Sequence, residues 1–360
     1  GLIKILYNDL RERFGLKSQM AQSCVRTVIA RYRSVQTQLR KEYVWDGYKK
    51  DNHGKQVKNY VPKTLEYLWY PIEFKRPQLD LVRNRDYSYK NDGTMTLNTI
   101  HGRVVVTPTF KGFEQYFDGT WTLGTAKVLK TGKHWYLHIA VTKQVEQSEF
   151  KSSHVVGIDR GLRQLLTIYD EKGQTTFVNG KQILQKRRYY KNLRKELQSK
   201  NTKSAKRRLK AIGERESRWM SDVNHCLSKT LVNRYGSGTI FVLEDLTGVT
   251  FDTVSKRSKK NRYEHSSWAF YDFEQKLIYK VVMNNSQVIK CDAHYTSQRC
   301  PKCGYIDSKN RNKDKHEFCC KACSYRTNDD RVAAMNIQFL GTLYNSGNPK
   351  PSFEKLDNIN

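Results

Sequence analysis

Four cysteines restrict this chain more than any other feature. In the stretch CPKCGYIDSKNRNKDKHEFCCKAC, Cys300 and Cys303 form one C-x2-C pair and Cys320 and Cys323 another, with 16 residues between the pairs. Two such knuckles present four thiolates tetrahedrally, the ligand set of a zinc ribbon. Pro301 and Gly304 suit tight turns. Cys319 is a spare, because its x3 gap to Cys323 makes a poorer knuckle, and His316 is a lesser candidate. Four thiolates leave no open position, so the Zn2+ expected here is structural. Cys24, Cys226 and Cys291 stand singly. That usage fits a reducing compartment with one metal site better than a disulfide framework.

Charge narrows the partners. The 360 residues carry 65 Lys+Arg against 35 Asp+Glu, a formal net charge of +30. Such a surplus repels itself unless it meets a polyanion, so nucleic acid leads and a membrane surface is the rival. No apolar run is long enough to span a bilayer. The excess is sharpest from Lys181 to Arg218, where 15 Lys/Arg face 3 Glu. Tyr and Leu interleave with those bases, which favours a phosphate-tracking helical hairpin over a merely solvated one. The chain opens at Gly1, reads straight into helical sequence and shows no signal peptide. A start lying ahead of Gly1 and a cytoplasmic, prokaryotic setting are expected.

Periodicity gives the order of elements. Met20, Cys24, Val28, Tyr32, Val35 and Leu39 recur at helical steps over 18–41, with Ser18 as the expected N-cap. Residues 42 to about 60 turn polar and read as a loop. Strand-like runs fill 62–145, two of them joined by the hairpin signal KTGK, and suggest a small barrel or open sheet. In the last run Trp135, Leu137, Ile139 and Val141 alternate with Tyr136, His138 and Ala140.

From about 150 the order is three strands (HVVGIDRG, LRQLLTIYD, TTFV), basic helices over 181–235, the strand TIFVLED, a helix over 268–284, the strand QVIKCD and a last helix over 331–342. Three antiparallel strands followed by a β-α-β portion are the elements of an RNase H-like α/β fold. The tail 343–360 reads as disordered. WAFYDF, 268–273, fits a core helix face better than a strand guide.

Three acidic residues fall at informative places in that order. Asp159 ends the first strand, Glu244 ends TIFVLE, and Asp330 opens the last helix. They are 85 and 86 residues apart, so only tertiary folding can join them. Taken singly, Asp159 reads as a turn residue, and Asp329 or Asp330 as a helix cap or dipole partner. Together they read as hard oxygen ligands for two Mg2+, the requirement of phosphodiester hydrolysis. Ala333 and Ala334 would let the last helix approach the sheet.

The motifs GIDRGL (157–162), LEDLTG (243–248), YTSQRCPKCG (295–304) and FCCKAC…NDDRVAAMNI (318–337) resemble those of TnpB, the transposon-encoded RNA-guided nucleases, and their relatives the compact type V CRISPR effectors. FGLKSQMAQSCVRTVIARY, 14–32, resembles the amino-terminal half of such proteins. The resemblance implies a helical recognition region over 1–60 and a β-barrel wedge domain over 61–150. It implies a RuvC-like nuclease domain over 151–294 with its basic insert 181–235, a zinc ribbon over 295–326, a returning helix over 327–345 and a disordered tail over 346–360. It implies guide RNA and target DNA as partners, a monomeric ribonucleoprotein, and cleavage opposite the guide next to a short flanking motif. By motif, Asp159, Glu244 and Asp330 become the catalytic Mg2+ ligands and Cys300, Cys303, Cys320 and Cys323 the zinc ligands, with Arg311 a candidate for the scissile phosphate. Val332 stands where the family usually has Asn, and the family's opening wedge strand would precede Gly1. A CRISPR effector and a non-cleaving RNA-guided repressor are the alternatives.

Overall fold

The computed structural model describes residues 1–41, 43–50, 54, 56–145, 152, 154–246 and 270–354. It divides into two compact units, Gly1–Gln144 and Val145–Asn360.

The first unit opens with α1 (Leu2–Phe14) and α2 (Ser18–Lys41). The Ala21 amide donates to the Lys17 carbonyl at 3.0 Å, so Lys17 is the residue before the helix and Ser18 its first member. Met20, Ala21, Val25 and Leu39 are the buried residues of α2, while Cys24 and Val28 stay exposed. The buried stripe is thus rotated from the expected one, and Thr27 lies close enough to donate to Asp80 at 2.8 Å.

Residues expected to be a polar loop instead form an antiparallel hairpin, β1 (Tyr43–Lys50) with β2 (Gln56–Pro62). Tyr, Val and Trp favour strands enough to outweigh the lysines around them.

Six further strands follow: β3 (Gln78–Leu81), β4 (Tyr87–Tyr89), β5 (Met95–Thr99), β6 (Gly102–Val106), β7 (Thr122–Thr131) and β8 (His134–Thr142). They make two three-stranded sheets, β3-β7-β8 and β4-β5-β6, and no pairing among the described residues closes them into a barrel. Leu81, Tyr87 and Ala126 pack with Leu97, Leu137 and Ile139 between them. Of the alternating set, Leu137, Ile139 and Val141 are half-buried, while Trp135 lies exposed beneath the Lys130 ammonium, 5.3 Å from the ring centre.

The second unit has a five-stranded sheet built from β9 (His154–Arg160), β10 (Gln164–Tyr169), β11 (Thr175–Asn179), β12 (Thr239–Glu244) and β13 (Gln287–Cys291). Their order is β11-β10-β9-β12-β13. β9 pairs antiparallel with β10 and parallel with β12, and β12 pairs parallel with β13. Near-continuous apolar runs in β9 and β12 mark strands covered on both faces, as parallel strands are.

The helices of this unit are α3 (Lys181–Lys200), α4 (Lys203–Ile212), α5 (Arg215–Tyr235), α6 (Phe270–Met283) and α7 (Asp329–Asn345). The basic helical stretch is broken twice, at Asn201 in the left-handed region and at Gly213 with φ 43°. It is not all solvated charge: Arg187 is buried, and it and Arg194 both pair with Glu216 to tie α3 to α5.

Side-chain alternation assigns the two faces. Val156, Ile158, Phe241 and Leu243 point to α5 and α6, where Leu231, Phe273 and Leu277 complete the larger core. Val155, Ile240 and Val242 point the other way, to Ile337 and Leu340 of α7. Of WAFYDF, Trp268 and Ala269 lie outside the described residues, Phe273 is core and Tyr271 is exposed.

Residues 346–354 are not disordered, contrary to the sequence reading. Phe353 is buried, stacks on Phe339 at 6.2 Å, and both rings lie under the Arg299 guanidinium, at 4.6 and 5.0 Å. An aromatic side chain in a polar tail found an apolar and cationic seat that composition alone does not reveal. Residues 355–360 lie outside the described residues.

Candidate active site

Asp159 shares its parity with Val155 and Gly157, and Glu244 with Ile240 and Val242. Both carboxylates therefore leave the sheet on the face covered by α7. The parallel register of β9 and β12 pairs Leu243 with Ile158, which brings Glu244 level with Asp159 on the neighbouring strand, about 5 Å away in backbone.

Glycines let α7 lie close enough to add the third. A Cβ on Gly157 would sit 2.3 Å from the Ala334 carbonyl oxygen and 2.4 Å from the Gln338 amide. A Cβ on Gly341 would sit 2.3 Å from Val242 Cγ2 and 2.8 Å from Val155 Cγ1. The helix thus runs antiparallel to β9, with Gly341 over Val155 and Ala334 over Gly157. From Gly341 back to Asp330 the helix rises about 16 Å, and from Val155 to Asp159 the strand advances about 13 Å. Asp330 comes to the same sheet edge as Asp159.

Electrostatics register this convergence. The Asp159 carboxyl is pushed well above the usual range, first by burial and then by the charges of Glu244 and Asp330, against the pull of Arg311. Burial also raises Glu244, opposed by the Thr296 hydroxyl and by Arg160 and Arg311. Asp330 is raised by burial and by Asp329, opposed by Arg311 and His316. Asp159, Glu244 and Asp330 do not together form a group whose ligand atoms all lie within 4.8 Å. Among the described residues the tight acidic group is instead Asp330 with Asp329 and His316, whose ligand atoms lie within 4.8 Å of one another.

The adjacent aspartates have different jobs. Asn328 is the N-cap of α7, accepting the Arg331 amide at 3.0 Å, so neither aspartate is needed as a cap. Asp329 is fully buried and holds Arg311, whose Nε donates at 2.8 Å. The second arm of Arg311 reaches to 3.6 Å from Asp330. Arg311 is therefore committed to the carboxylates on the protein side, a contact its place in KNRNK did not reveal. His316 lies 3.7 Å from Asp329 and stands apart from the four-sulfur cluster.

Three supporting residues went unnoticed in the sequence. Thr296 donates to Glu244 Oε1 at 2.5 Å. Asn336, fully buried in α7, donates to the carbonyls of Thr296 and Arg299 at 2.7 and 2.8 Å. Arg160 donates to Glu274 at 3.1 Å and to the Glu244 carbonyl at 2.6 Å. Thr296 lies inside YTSQRCPKCG and Asn336 inside NDDRVAAMNI, the only sequence signal that could have found them.

The ribbon joins this site directly. It carries the short strands β14 (Arg311–Asn312), β15 (Glu317–Cys319) and β16 (Arg326–Asn328), paired β14-β15-β16. Its two knuckles repeat one geometry. The Gly304 and Ser324 amides donate to the Cys300 and Cys320 carbonyls at 2.9 and 3.0 Å, and Cys300 and Cys320 each donate to the carbonyl of the following tyrosine at 2.9 Å.

Both turns need a left-handed residue, with φ 79° at Gly304 and 58° at Ser324. Sulfur separations of 3.6 Å (Cys300–Cys323) and 3.5 Å (Cys303–Cys320) approach the edge of a tetrahedron with zinc–sulfur bonds of about 2.3 Å. All four sulfurs lie within 4.8 Å, and Cys319 is outside the set. Burial pushes the Cys300 thiol to about 12, while the Tyr325 amide draws Cys323 to about 7. Val332 is buried against Cys300, Phe318 and Cys320, so this position serves ribbon packing.

Comparison with known families adds to this geometry. The family described as "Probable transposase", OrfB of IS605, matches residues 138–247, from β8 through β12. The Cas12f1-like TNB domain matches residues 270–337, from α6 through the ribbon into α7.

Over these two stretches the chain resembles the TnpB/OrfB proteins and the related Cas12f nucleases.

It is 32% identical over 218 residues to the CRISPR-associated endodeoxyribonuclease Cas12f1 of Sulfoacidibacillus thermotolerans, covering 56% of this chain and 49% of that protein. It is 26% identical to InsQ of Escherichia coli K12, a proposed RNA-guided DNA endonuclease, over 64% of this chain and 60% of that one. A TnpB-like protein of Aquifex aeolicus is 25% identical over 61% of this chain and 78% of its own length. The chain spans about half the length of the Cas12f1 relatives it matches. Its second unit is a mixed α/β region carrying a four-cysteine ribbon, within the stretch that matches the TNB domain, suited to structural zinc. No helix among the described residues is long and apolar enough to cross a membrane.

Proposed function

We propose that this chain is the nuclease of an RNA-guided DNA endonuclease of the transposon-encoded kind, with Asp159, Glu244 and Asp330 as its metal ligands. The observation that carries the reading is the convergence of those three side chains, from two strand ends and one helix start, on a single face of the sheet. Their donor atoms are all carboxylate oxygens, which suits Mg2+. Two bound Mg2+ would supply an activated water and a stabilised leaving oxygen for phosphodiester hydrolysis.

The chain's own residues hold and orient. Asp159 lies between the other two in charge contact, and is the candidate to face both ions. Thr296 fixes one Glu244 oxygen and leaves the other for a ligand. Asp329, through Arg311, sets the position of Asp330 at the helix start. The Arg311 guanidinium lies beside Asp329 and Asp330, where a phosphate oxygen could share its donors.

Guide RNA and target DNA are the polyanions that the charge of +30 fits, with the exposed lysines of α3 and α4 as a backbone track. The two small sheets of the first unit would serve as the wedge. A non-cleaving repressor would have no need of the three carboxylates, and their retention favours the cutting enzyme.

The test is to purify the protein with its RNA, sequence that RNA, and assay matched duplexes with a randomised flank in Mg2+ and in EDTA. Cleavage in Mg2+, lost in EDTA and in Asp159→Ala with RNA binding kept, is the expected result. RNA-independent cutting, or cutting by Asp159→Ala, would overturn the reading.

A further inference from the structure

The hairpin of the first unit shows an aromatic face that nothing within the described residues covers. Register assigns it. Tyr43 pairs with Pro62, Trp45 with Tyr60 and Tyr48 with Lys58, while Val44 opposite Val61 and Lys49 opposite Val57 lie on the reverse face. Simple alternation would put Tyr48 on the opposite side from Trp45. The irregularity between those residues, with Gly47 at φ 75°, restores Tyr48 to the same side. Trp45 and Tyr48 then meet edge to face with centroids 5.8 Å apart.

Tyr43, Trp45, Tyr48 and Tyr60 are 61, 56, 61 and 54% exposed. A two-stranded ribbon is marginal alone, and rings this open are a surface waiting for a partner. Lys50 and Lys58 stand on the same face toward the tip, and Asp46 is the one acid among the described ribbon residues.

We infer that this ribbon is a stacking platform for unpaired bases of a single nucleic-acid strand, with Trp45, Tyr60 and Tyr48 taking the bases and Lys50 and Lys58 the phosphates. Rings accept any base face, which makes such binding tolerant of sequence. Lysines beside the rings supply the complementary charge. A second copy of the chain is disfavoured as occupant, because it would bring another +30. A paired duplex hides its base faces and offers the rings nothing to stack on.

The experiment measures binding, so it does not depend on cleavage at the carboxylate site. Full-length protein in an Asp159→Ala background, freed of copurifying RNA, is titrated by fluorescence anisotropy. The probes are labelled single-stranded RNA and single-stranded DNA of about 12 nucleotides and the matching duplex. Trp45→Leu/Tyr60→Leu keeps apolar bulk but removes the π faces, and should weaken single strands at least about tenfold, with the salt slope kept and the duplex unaffected. Trp45→Phe/Tyr60→Phe should stay within about twofold of the parent. Lys50→Ala/Lys58→Ala should lower the salt slope by about 1.4. Whichever of RNA or DNA binds more tightly identifies the strand served.

Three results would overturn the inference: single-strand affinity of the Leu variant within about twofold of the parent, an equal loss in the Phe variant, or a parent dimer that the Leu variant turns into monomer by light scattering. Unchanged zinc content and circular dichroism in both variants show that the fold is intact.

Discussion

The thiolates of the ribbon come from 24 consecutive residues, whereas the carboxylates at the sheet edge come from three segments 85 and 86 residues apart. The ribbon can be built locally, by two copies of one turn with the same backbone hydrogen bonds. The carboxylate cluster exists only when β9, β12 and α7 are all in place. The electrostatics differ as well. In the ribbon, burial pushes the Cys300 thiol up while a backbone amide draws Cys323 down, whereas at the sheet edge burial and then the charges of Glu244 and Asp330 push Asp159 up. The local structure supports the distant one. Thr296 and Asn336 connect Glu244 to the ribbon's first knuckle, and Val332 seats the start of α7 on Cys300 and Cys320.

That dependence can be broken most severely by removing zinc. Structural zinc contributes about 10–16 kcal/mol of apparent binding energy in small zinc domains. Cys320→Ser, or a strong chelator, should make 300–328 sensitive to protease and abolish cleavage, while the β9–β13 sheet stays folded by circular dichroism. Full cleavage by zinc-free protein would show the two regions to be independent.

Gly157→Ala attacks the other side of the comparison. The added methyl meets the backbone of α7, which must move. A loss of about 1–3 kcal/mol in denaturant unfolding is expected, with cleavage reduced more than zinc content. Thr296→Val leaves both clusters folded but frees Glu244 Oε1. Divalent metal affinity or activity should fall by about 10- to 100-fold, measured by Mg2+ titration of the cleavage rate.

The gentlest probe is pH. Burial and the charges of Glu244 and Asp330 push the folded Asp159 carboxyl well above the ordinary aspartate range, so between the unfolded and folded values the folded chain binds more protons than the unfolded one. Stability of the metal-free protein should therefore fall as pH rises through the window, and Asp159→Asn should flatten that slope. An unchanged slope in urea melts across pH 4 to 7 would disconnect Asp159 from the cluster.

The same contrast explains what the sequence disclosed. Contiguous cysteines carry their geometry in their spacing. The sheet order was legible because β9 and β12 are apolar runs of strand length, each ending in a carboxylate, whereas the register that sets Asp159 level with Glu244 came only with the strand pairing. Arg311 with Asp329, Thr296 with Glu244, and Asn336 with Arg299 were not legible, because each is a single polar contact between segments brought together only by folding. The aromatic hairpin was missed for a local reason: its lysines and glycines masked the strand signal, and the irregularity at Gly47 broke the alternation. Phe353 was missed because its seat is made by Phe339 and Arg299, from two other segments.

The central claim is that Asp159, Glu244 and Asp330 together hold divalent metal. Anomalous diffraction from crystals grown with Mn2+ tests it most directly. Mn2+ density bounded by those three carboxylates, and absent in Asp159→Ala, is the expected result. Density confined to His316, Asp329 and Asp330, or density that survives in Asp159→Ala, would contradict it.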